Sequence, residues 1–173
     1  AVFCPSSRPG GKIWDAETGQ PLHTVAGGKG EIYAAVFSRD SRHLLLGWTD
    51  GLSVLLDWLK NEVIAELKGH TGGVYAAALH PSGRMAATAG ADRVIRLWEL
   101  PSGRLLRTLK GHTELVYSLD FHPDGTRLVS GSNDQTVRCW SPESGDEVLE
   151  IRFPRRSTWC GSPPKESGWP WCR

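Results

Sequence analysis

GHTELVYSLDFHPDGTRLVSGSNDQTVRCW, residues 111–140, is the stretch that decides the fold of this chain. It opens with Gly-His, alternates apolar and polar residues, and carries Asp134 six residues before Trp140. The stretch 42 residues earlier, GHTGGVYAAALHPSGRMAATAGADRVIRLW at 69–98, repeats this layout without a gap. A further shift of 42 residues gives a decayed third copy that keeps Asp50 but has Leu56 at the tryptophan position. An internal period of this length indicates a repeat protein in which each copy forms one supersecondary unit.

Each copy predicts four short antiparallel strands separated by tight turns. Apolar and polar residues alternate in the strand segments, and Pro, Gly, Asp and Ser gather in the turns between them. No stretch shows the 3.6-residue period of an amphipathic helix, so the predicted fold class is all-β. The predicted first strands are 32–37, 74–79 and 116–121, the second strands are 43–46, 84–88 and 127–130, the third strands end at Leu56, Trp98 and Trp140, and the fourth strands are 21–25, 63–67, 105–109 and 147–151.

With its Gly-His, Asp and Trp positions, the sequence resembles the WD-repeat family of β-propellers. The resemblance implies a partial propeller of four-stranded antiparallel blades, with repeats at about 27–58, 69–100 and 111–142. Trp14 is in register with the Trp positions of the repeats, so we expect the end of a further blade before the first repeat. The expected organisation is an irregular N-terminal segment at 1–11, a propeller region at 12–152 and an irregular, Trp- and Pro-rich tail at 153–173.

The composition argues against several classes of partner. Lys and Arg number 20 against 19 acidic residues, which gives a net charge of +1 and removes the electrostatic case for nucleic acid or a membrane surface. The four cysteines form no CxxC pair, which favours a reducing compartment, so we expect an intracellular, cytoplasmic or nuclear protein. No cofactor motif and no metal-ligand spacing is recognised.

One set of polar residues has two interpretations. Ser, His and Asp are the components of a hydrolytic triad, so Ser130, His112 and Asp134 suggest a hydrolase. The family resemblance instead implies a buried structural tetrad of His, Ser or Thr, Asp and Trp. The first repeat has lost three of the four members together, which favours the structural interpretation and leaves no predicted catalytic residue. The two complete tetrads are His70, Thr88, Asp92 and Trp98, and His112, Ser130, Asp134 and Trp140.

The resemblance also implies three partner-facing positions in each repeat: the residue before the Asp, and two that flank the first Val or Ile of the innermost strand. Tyrosine occupies one of these positions in all three repeats, where it either meets a partner or packs between blades. The partner-binding candidates are Thr49, Glu31 and Tyr33, then Ala91, Gly73 and Tyr75, and finally Asn133, Leu115 and Tyr117.

The predicted function is therefore a non-enzymatic scaffold that presents a propeller face to protein or peptide partners. A propeller of this family usually closes with about seven blades, roughly 290 residues. We therefore expect this chain to be part of a larger propeller or to close by self-association. The alternatives are a truncated or mis-spliced product without a function of its own and, less favoured, the Ser-His-Asp hydrolase.

Overall fold

The computed structural model describes residues 2–5, 11–25 and 28–153 and confirms the all-β class. These residues form one three-stranded and three four-stranded antiparallel sheets, the arrangement of a partial β-propeller. Within them, no helix is long and apolar enough to cross a membrane. The strands are β1 Val2–Pro5, β2 Gly11–Trp14, β3 Pro21–Val25, β4 Ile32–Phe37, β5 His43–Trp48, β6 Ser53–Asp57, β7 Glu62–Leu67, β8 Val74–Leu79, β9 Met85–Gly90, β10 Ile95–Glu99, β11 Leu105–Leu109, β12 Val116–Phe121, β13 Leu128–Ser132, β14 Thr136–Trp140 and β15 Glu147–Arg152.

We call the sheets blades 1 to 4 in chain order: β1–β3, β4–β7, β8–β11 and β12–β15. In blades 2, 3 and 4 each strand pairs with the next one along the chain, so every blade is a meander. The predicted first strands agree with β4, β8 and β12, whereas each second strand extends two residues beyond its predicted end. Turn chemistry locates a strand start better than its end, because pairing continues for as long as the partner strand lasts.

The N-terminal segment differs from the prediction of an irregular stretch at 1–11. Val2–Pro5 is a strand, and its residues pair antiparallel with Gly11–Trp14. A 42-residue shift places it on β5, so it is the second strand of blade 1. Its four residues are too few to show an alternation, and Pro5 stands at the strand end, where a missing N–H is tolerated. At the other end, the predicted tail is 153–173. Its residues from 154 onward lie outside the described residues, and its first residue, Phe153, donates its N–H to the Gln135 carbonyl of blade 4.

The core consists of three apolar layers, each between two neighbouring blades. Leu44, Leu46 and Leu56 of blade 2 meet Ile13 of blade 1, and all four are at least 97% buried. Blade 3 is lined on both faces by alanines, including Ala77 toward blade 2 and Ala76, Ala78, Ala87 and Ala89 toward blade 4. Small side chains let adjacent sheets approach closely, and larger residues of the neighbouring blade fill the remaining space.

The turns repeat with the same 42-residue period as the strands. Positive φ angles, which favour glycine, occur at three turn positions of each repeat. Where glycine is absent from such a position, a short or polar residue adopts the left-handed conformation, as Asn61 does with φ 56°. The three sets are Gly19, Asn61, Gly103 and Gly145; Ser41, Gly83 and Gly125; and Gly51, Arg93 and Gln135.

Two of these glycines provide a matched test of the turn geometry. A Cβ at Gly51 would lie 2.8 Å from the His70 carbonyl oxygen, whereas one at Gly19 would meet no atom within 4 Å. We expect Gly19→Ala to lower the free energy of unfolding by about 1–2 kcal/mol, the cost of a left-handed Cβ. Gly51→Ala should cost about 1–3 kcal/mol more because of the overlap. Urea unfolding at equilibrium measures both values, and equal losses would contradict this account.

Candidate functional site

The residues of each tetrad come from four different parts of one blade. The His lies in the loop before the first strand, and the hydroxyl residue lies on the second strand. The Asp lies in the turn after that strand, and the Trp is on the third strand. The sequence therefore spaces four residues over almost 30 positions, and the antiparallel meander brings them together.

In blade 3 the four side chains form one continuous hydrogen-bonded chain. The Trp98 indole N–H donates to Thr88 Oγ1 at 2.7 Å. Thr88 Oγ1 lies 2.8 Å from His70 Nε2. His70 Nδ1 lies 2.9 Å from Asp92 Oδ1. The Asp92 carboxylate also accepts the backbone N–H of Thr71, which fixes the loop before the first strand.

Blade 4 repeats this arrangement with serine in place of threonine. Trp140 Nε1 donates to Ser130 Oγ at 2.8 Å. Ser130 Oγ lies 2.7 Å from His112 Nε2, and His112 Nδ1 lies 2.8 Å from Asp134 Oδ2. The Asp134 carboxylate accepts the backbone N–H of Thr113 at 3.0 Å, as Asp92 does in blade 3.

These bonds assign each donor and acceptor. A carboxylate can only accept, so the imidazole Nδ1–H donates to the Asp and Nε2 accepts from the hydroxyl. The hydroxyl oxygen in turn accepts from the indole N–H, so each buried polar side-chain group of these two tetrads has a partner. Ser130 is only 1% exposed and its oxygen is already engaged by Trp140. A substrate carbonyl therefore has no approach to this Ser-His-Asp set.

Sequence reasoning missed the residues that donate hydrogen bonds to the two aspartate carboxylates in addition to the tetrad histidines. In blade 3, Arg96 Nη1 donates to Asp92 Oδ2 at 2.5 Å. In blade 4, the hydroxyl of Thr136 donates to Asp134 Oδ1 at 2.6 Å. Arg138, which corresponds to Arg96, turns away and pairs with Glu147 and Glu150 instead. The only sequence signal for these residues is their position: Arg96 follows Asp92 by four residues, and Thr136 and Arg138 follow Asp134 by two and four, each in the third strand.

The tetrad environment shifts the pKa of its ionisable groups. Burial lowers the pKa of His70, and the nearby positive charge of Arg96 acts in the same direction against the hydrogen bond to Asp92. For Asp92, burial raises the pKa, but His70, Arg96 and the Thr71 N–H together outweigh it and lower the pKa below its usual range.

The pKa of the tetrad carboxylate in blade 4 is set by the same two opposing effects. Burial raises the pKa of Asp134, whereas the donors Thr136, His112 and the Thr113 N–H outweigh burial and hold the pKa well below its usual range. Both aspartates are therefore charged acceptors at neutral pH.

The first repeat fills the same space with an apolar side chain. Gly28 stands at the His position, and a Cβ there would lie 2.5 Å from the Trp48 ring. Trp48 is fully buried, together with Leu46 at the hydroxyl position and Leu56 at the Trp position. Sequence reasoning found the lost tetrad but not its replacement, although Trp48 is a large residue where the next repeat has Gly90.

Only the backbone-capping part of the tetrad persists in the first repeat. Asp50 Oδ2 accepts the Lys29 N–H at 2.7 Å, and Oδ1 accepts the Leu52 N–H at 3.1 Å. The Trp48 indole N–H has no partner among the described residues. Asp50 thus serves the turn, whereas the rest of the site has become part of the core.

The structure brings the predicted partner-binding positions together within each repeat. The backbone N–H of the residue before the Asp donates to the carbonyl oxygen of the residue before the first strand. The three pairs are Thr49 to Glu31, Ala91 to Gly73 and Asn133 to Leu115. Glu31 and Asn133 are exposed, whereas Gly73 is buried against the Thr49 backbone and the Tyr75 ring. That these residues bind a partner stays a prediction.

The three tyrosines form one continuous row across blades 2 to 4. The Tyr33 and Tyr75 rings are edge-to-face with centroids 5.3 Å apart. The Tyr75 and Tyr117 rings are stacked at 5.6 Å. Tyr33 is 59% and Tyr117 is 55% exposed, and Tyr75 is half-buried between them. The rings therefore pack against one another across blades, as one of the two sequence interpretations expects, and they also present an open aromatic surface. That they meet a partner stays a prediction.

Comparison with known families matches residues 61–99 and 103–141 to the WD40 family, described as WD domain, G-beta repeat. Residues 61–99 and 103–141 are WD40 repeats. Each matched segment starts at the outer strand of one blade and ends at the third strand of the next. The two segments contain the two complete tetrads. Among curated proteins, the WD-repeat chain has no match. WD40 repeats are associated in general with protein–protein interaction.

The structural role of the tetrad is tested by Ser130→Ala. The variant leaves the Trp140 N–H and His112 Nε2 without their common partner, so we expect the free energy of unfolding to fall by about 1–3 kcal/mol. The exposed Ser118→Ala is the matched control and should change stability by less than about 0.5 kcal/mol. Urea unfolding and p-nitrophenyl acetate turnover are measured on the same preparations. Turnover that disappears in Ser130→Ala at unchanged stability would contradict the structural role.

The pKa shifts predict how stability depends on pH. The pKa of His70 is lower in the folded chain than its ordinary value of 6.5, so below that pH the unfolded chain binds a proton that the folded chain does not. The free energy of unfolding should therefore fall as the pH drops from 7 to 5. It should fall again below about pH 4, where the unfolded forms of Asp92 and Asp134 take up protons first.

His70→Gln is the variant that separates the two steps. It should be less stable at pH 7 and show a flatter pH dependence between pH 7 and 5, because the titrating group is gone. Its loss of stability below pH 4 should persist through Asp134. Urea unfolding at half-unit pH intervals gives both curves, and an equally steep change in the variant would overturn the assignment to His70.

Proposed function

We propose that this WD-repeat chain is a non-enzymatic scaffold that binds a protein or peptide partner along the row of Tyr33, Tyr75 and Tyr117. The observation that carries the proposal is the exposure of this row: three rings follow one another at centroid spacings of 5.3 and 5.6 Å, and the two outer rings are more than half exposed. Tyrosine offers a rigid apolar face and a polar tip at little entropic cost, which suits a binding surface.

The surroundings of the row support this proposal. A shallow groove of about 220 Å³ runs along it, and its floor is the first strands of the three blades, including Ala35 and Ala77. The small residues keep the floor low, so an extended peptide can lie across the rings. The three backbone bonds between the residue before each Asp and the residue before each first strand hold the rim of the groove in place.

A hydrolase is the less favoured alternative, because Ser130 is buried and bonded to Trp140. Within the described part of the chain, no three His, Cys, Asp or Glu side chains come close enough to hold a metal ion. The cysteine pattern supports an intracellular location, and the balanced charge supports protein rather than nucleic acid as the partner. Both assignments belong to the proposal.

The proposal is tested by selecting binders from a displayed peptide library on the full chain and measuring their dissociation constants. For a selected peptide, Tyr33→Ala combined with Tyr117→Ala should weaken binding at least about tenfold, the effect of losing about 1.4 kcal/mol at two exposed anchors. The Tm of this double variant should stay close to that of the parent chain, because both rings are largely exposed.

The control for this experiment is Val148→Ala, which truncates a similarly exposed side chain on the outer strand of blade 4. It should leave the dissociation constant unchanged. Peptides that bind equally well to the parent chain and to the tyrosine double variant would refute the tyrosine row as the binding surface.

A further inference from the structure

A second candidate binding site lies between blades 2 and 3, at the end of the sheets that carries the turns between first and second strands. There the two blades enclose a cleft of about 230 Å³. Its walls are mostly apolar, and Ser38, His43 and Gly83 supply its polar groups. The apolar residues that line it are Leu55, Ile64, Leu79, Leu100 and Pro101.

The junction between blades 3 and 4 shows which side chain enters the corresponding space one repeat later, beside an open groove of about 420 Å³. His80 Nδ1 accepts the backbone N–H of Ser82 at 3.1 Å, so Nε2 carries the proton. That Nε2–H donates to the Gly125 carbonyl oxygen of blade 4 at 3.1 Å. The imidazole also meets the Phe121 ring edge-to-face at 5.1 Å. It lies so close to Gly125 that a Cβ on that glycine would overlap the ring.

Between blades 2 and 3, the same three positions are Ser38, Leu79 and Gly83, each 42 residues earlier in the chain. Ser38 is too short to cross the junction and bonds within its own turn, donating to Asp40 Oδ1 at 2.5 Å and accepting the His43 N–H at 2.9 Å. A Cβ added to Gly83 would meet no atom within 4 Å. The space that an imidazole occupies at one junction is therefore open at the other.

We propose that this cleft binds the imidazole side chain of a histidine in a partner peptide. The apolar walls accept the faces of the ring, and the Gly83 carbonyl, at the position of the Gly125 carbonyl, accepts the ring N–H. A wider groove of about 390 Å³ adjoins the cleft and shares Ser38, His43 and Gly83 with it. Arg39 and Asp40 line this groove, which leaves room and polar groups for the backbone of the partner.

The test uses 4-methylimidazole, the side chain of histidine, titrated into the full chain at pH 8 while backbone amide chemical shifts are recorded. We expect saturable shifts at Leu79 and Gly83 with a dissociation constant on the order of millimolar, as suits a probe of this size. Ser38→His should occupy the cleft from within and weaken binding at least about tenfold. Ser38→Ala leaves the cleft open and is the matched control, with unchanged binding.

Two further measurements keep the test decisive if Ser38→His does not fold. His80→Ala opens the equivalent space beside Gly125, so the probe should then produce a second set of saturable shifts at that residue. The compound 1,5-dimethylimidazole has the same ring without an N–H and should bind several-fold more weakly to the parent chain, because the Gly83 carbonyl loses its donor.

Three results would overturn the proposal: no saturable shift at Gly83, equal binding by folded Ser38→His, or equal affinity for the two imidazoles. The last result would show that the cleft takes apolar rings without regard to an N–H group. The site is independent of the tyrosine row, so either binding surface can fail in its own experiment without affecting the other.

Discussion

The buried hydroxyl of Thr88 or Ser130 is the group on which each of the last two blades depends. It accepts the indole N–H from the third strand and donates to the imidazole from the loop before the first strand. The imidazole then fixes the carboxylate of Asp92 or Asp134, which in turn caps a backbone N–H of the same loop. A polar chain of this kind is stable only when it is complete, because each remaining member would be buried without a partner.

Blade 2 shows the other stable solution to the same packing problem. Its repeat has lost the imidazole, hydroxyl and indole positions together, and the Trp48 ring lies where the imidazole would be. Leu46 and Leu56 complete an apolar layer against blade 1. Replacing a whole hydrogen-bonded set by apolar groups of suitable volume is far less costly than removing one member of it. The fold therefore accepts either chemistry, provided that the exchange is complete.

The sequence alone predicted what is repeated within one unit, and it did so well. The strand order and the turn positions follow from the 42-residue period, and the membership of both tetrads is what the resemblance to the WD-repeat family implied. What it could not predict are contacts between neighbouring units. Trp48 filling the place beside Gly28 and His80 reaching Gly125 depend on the distance between blades, which no pattern within one repeat encodes. Val2–Pro5 was missed because four residues carry too little alternation to be distinguished from a loop.

The matched WD segments and the blades are out of phase, since each segment contributes an outer strand to one sheet and three strands to the next. A unit with the bounds of a matched segment must therefore fit two sheets at once. A change within one such unit bears on the packing of two neighbouring blades.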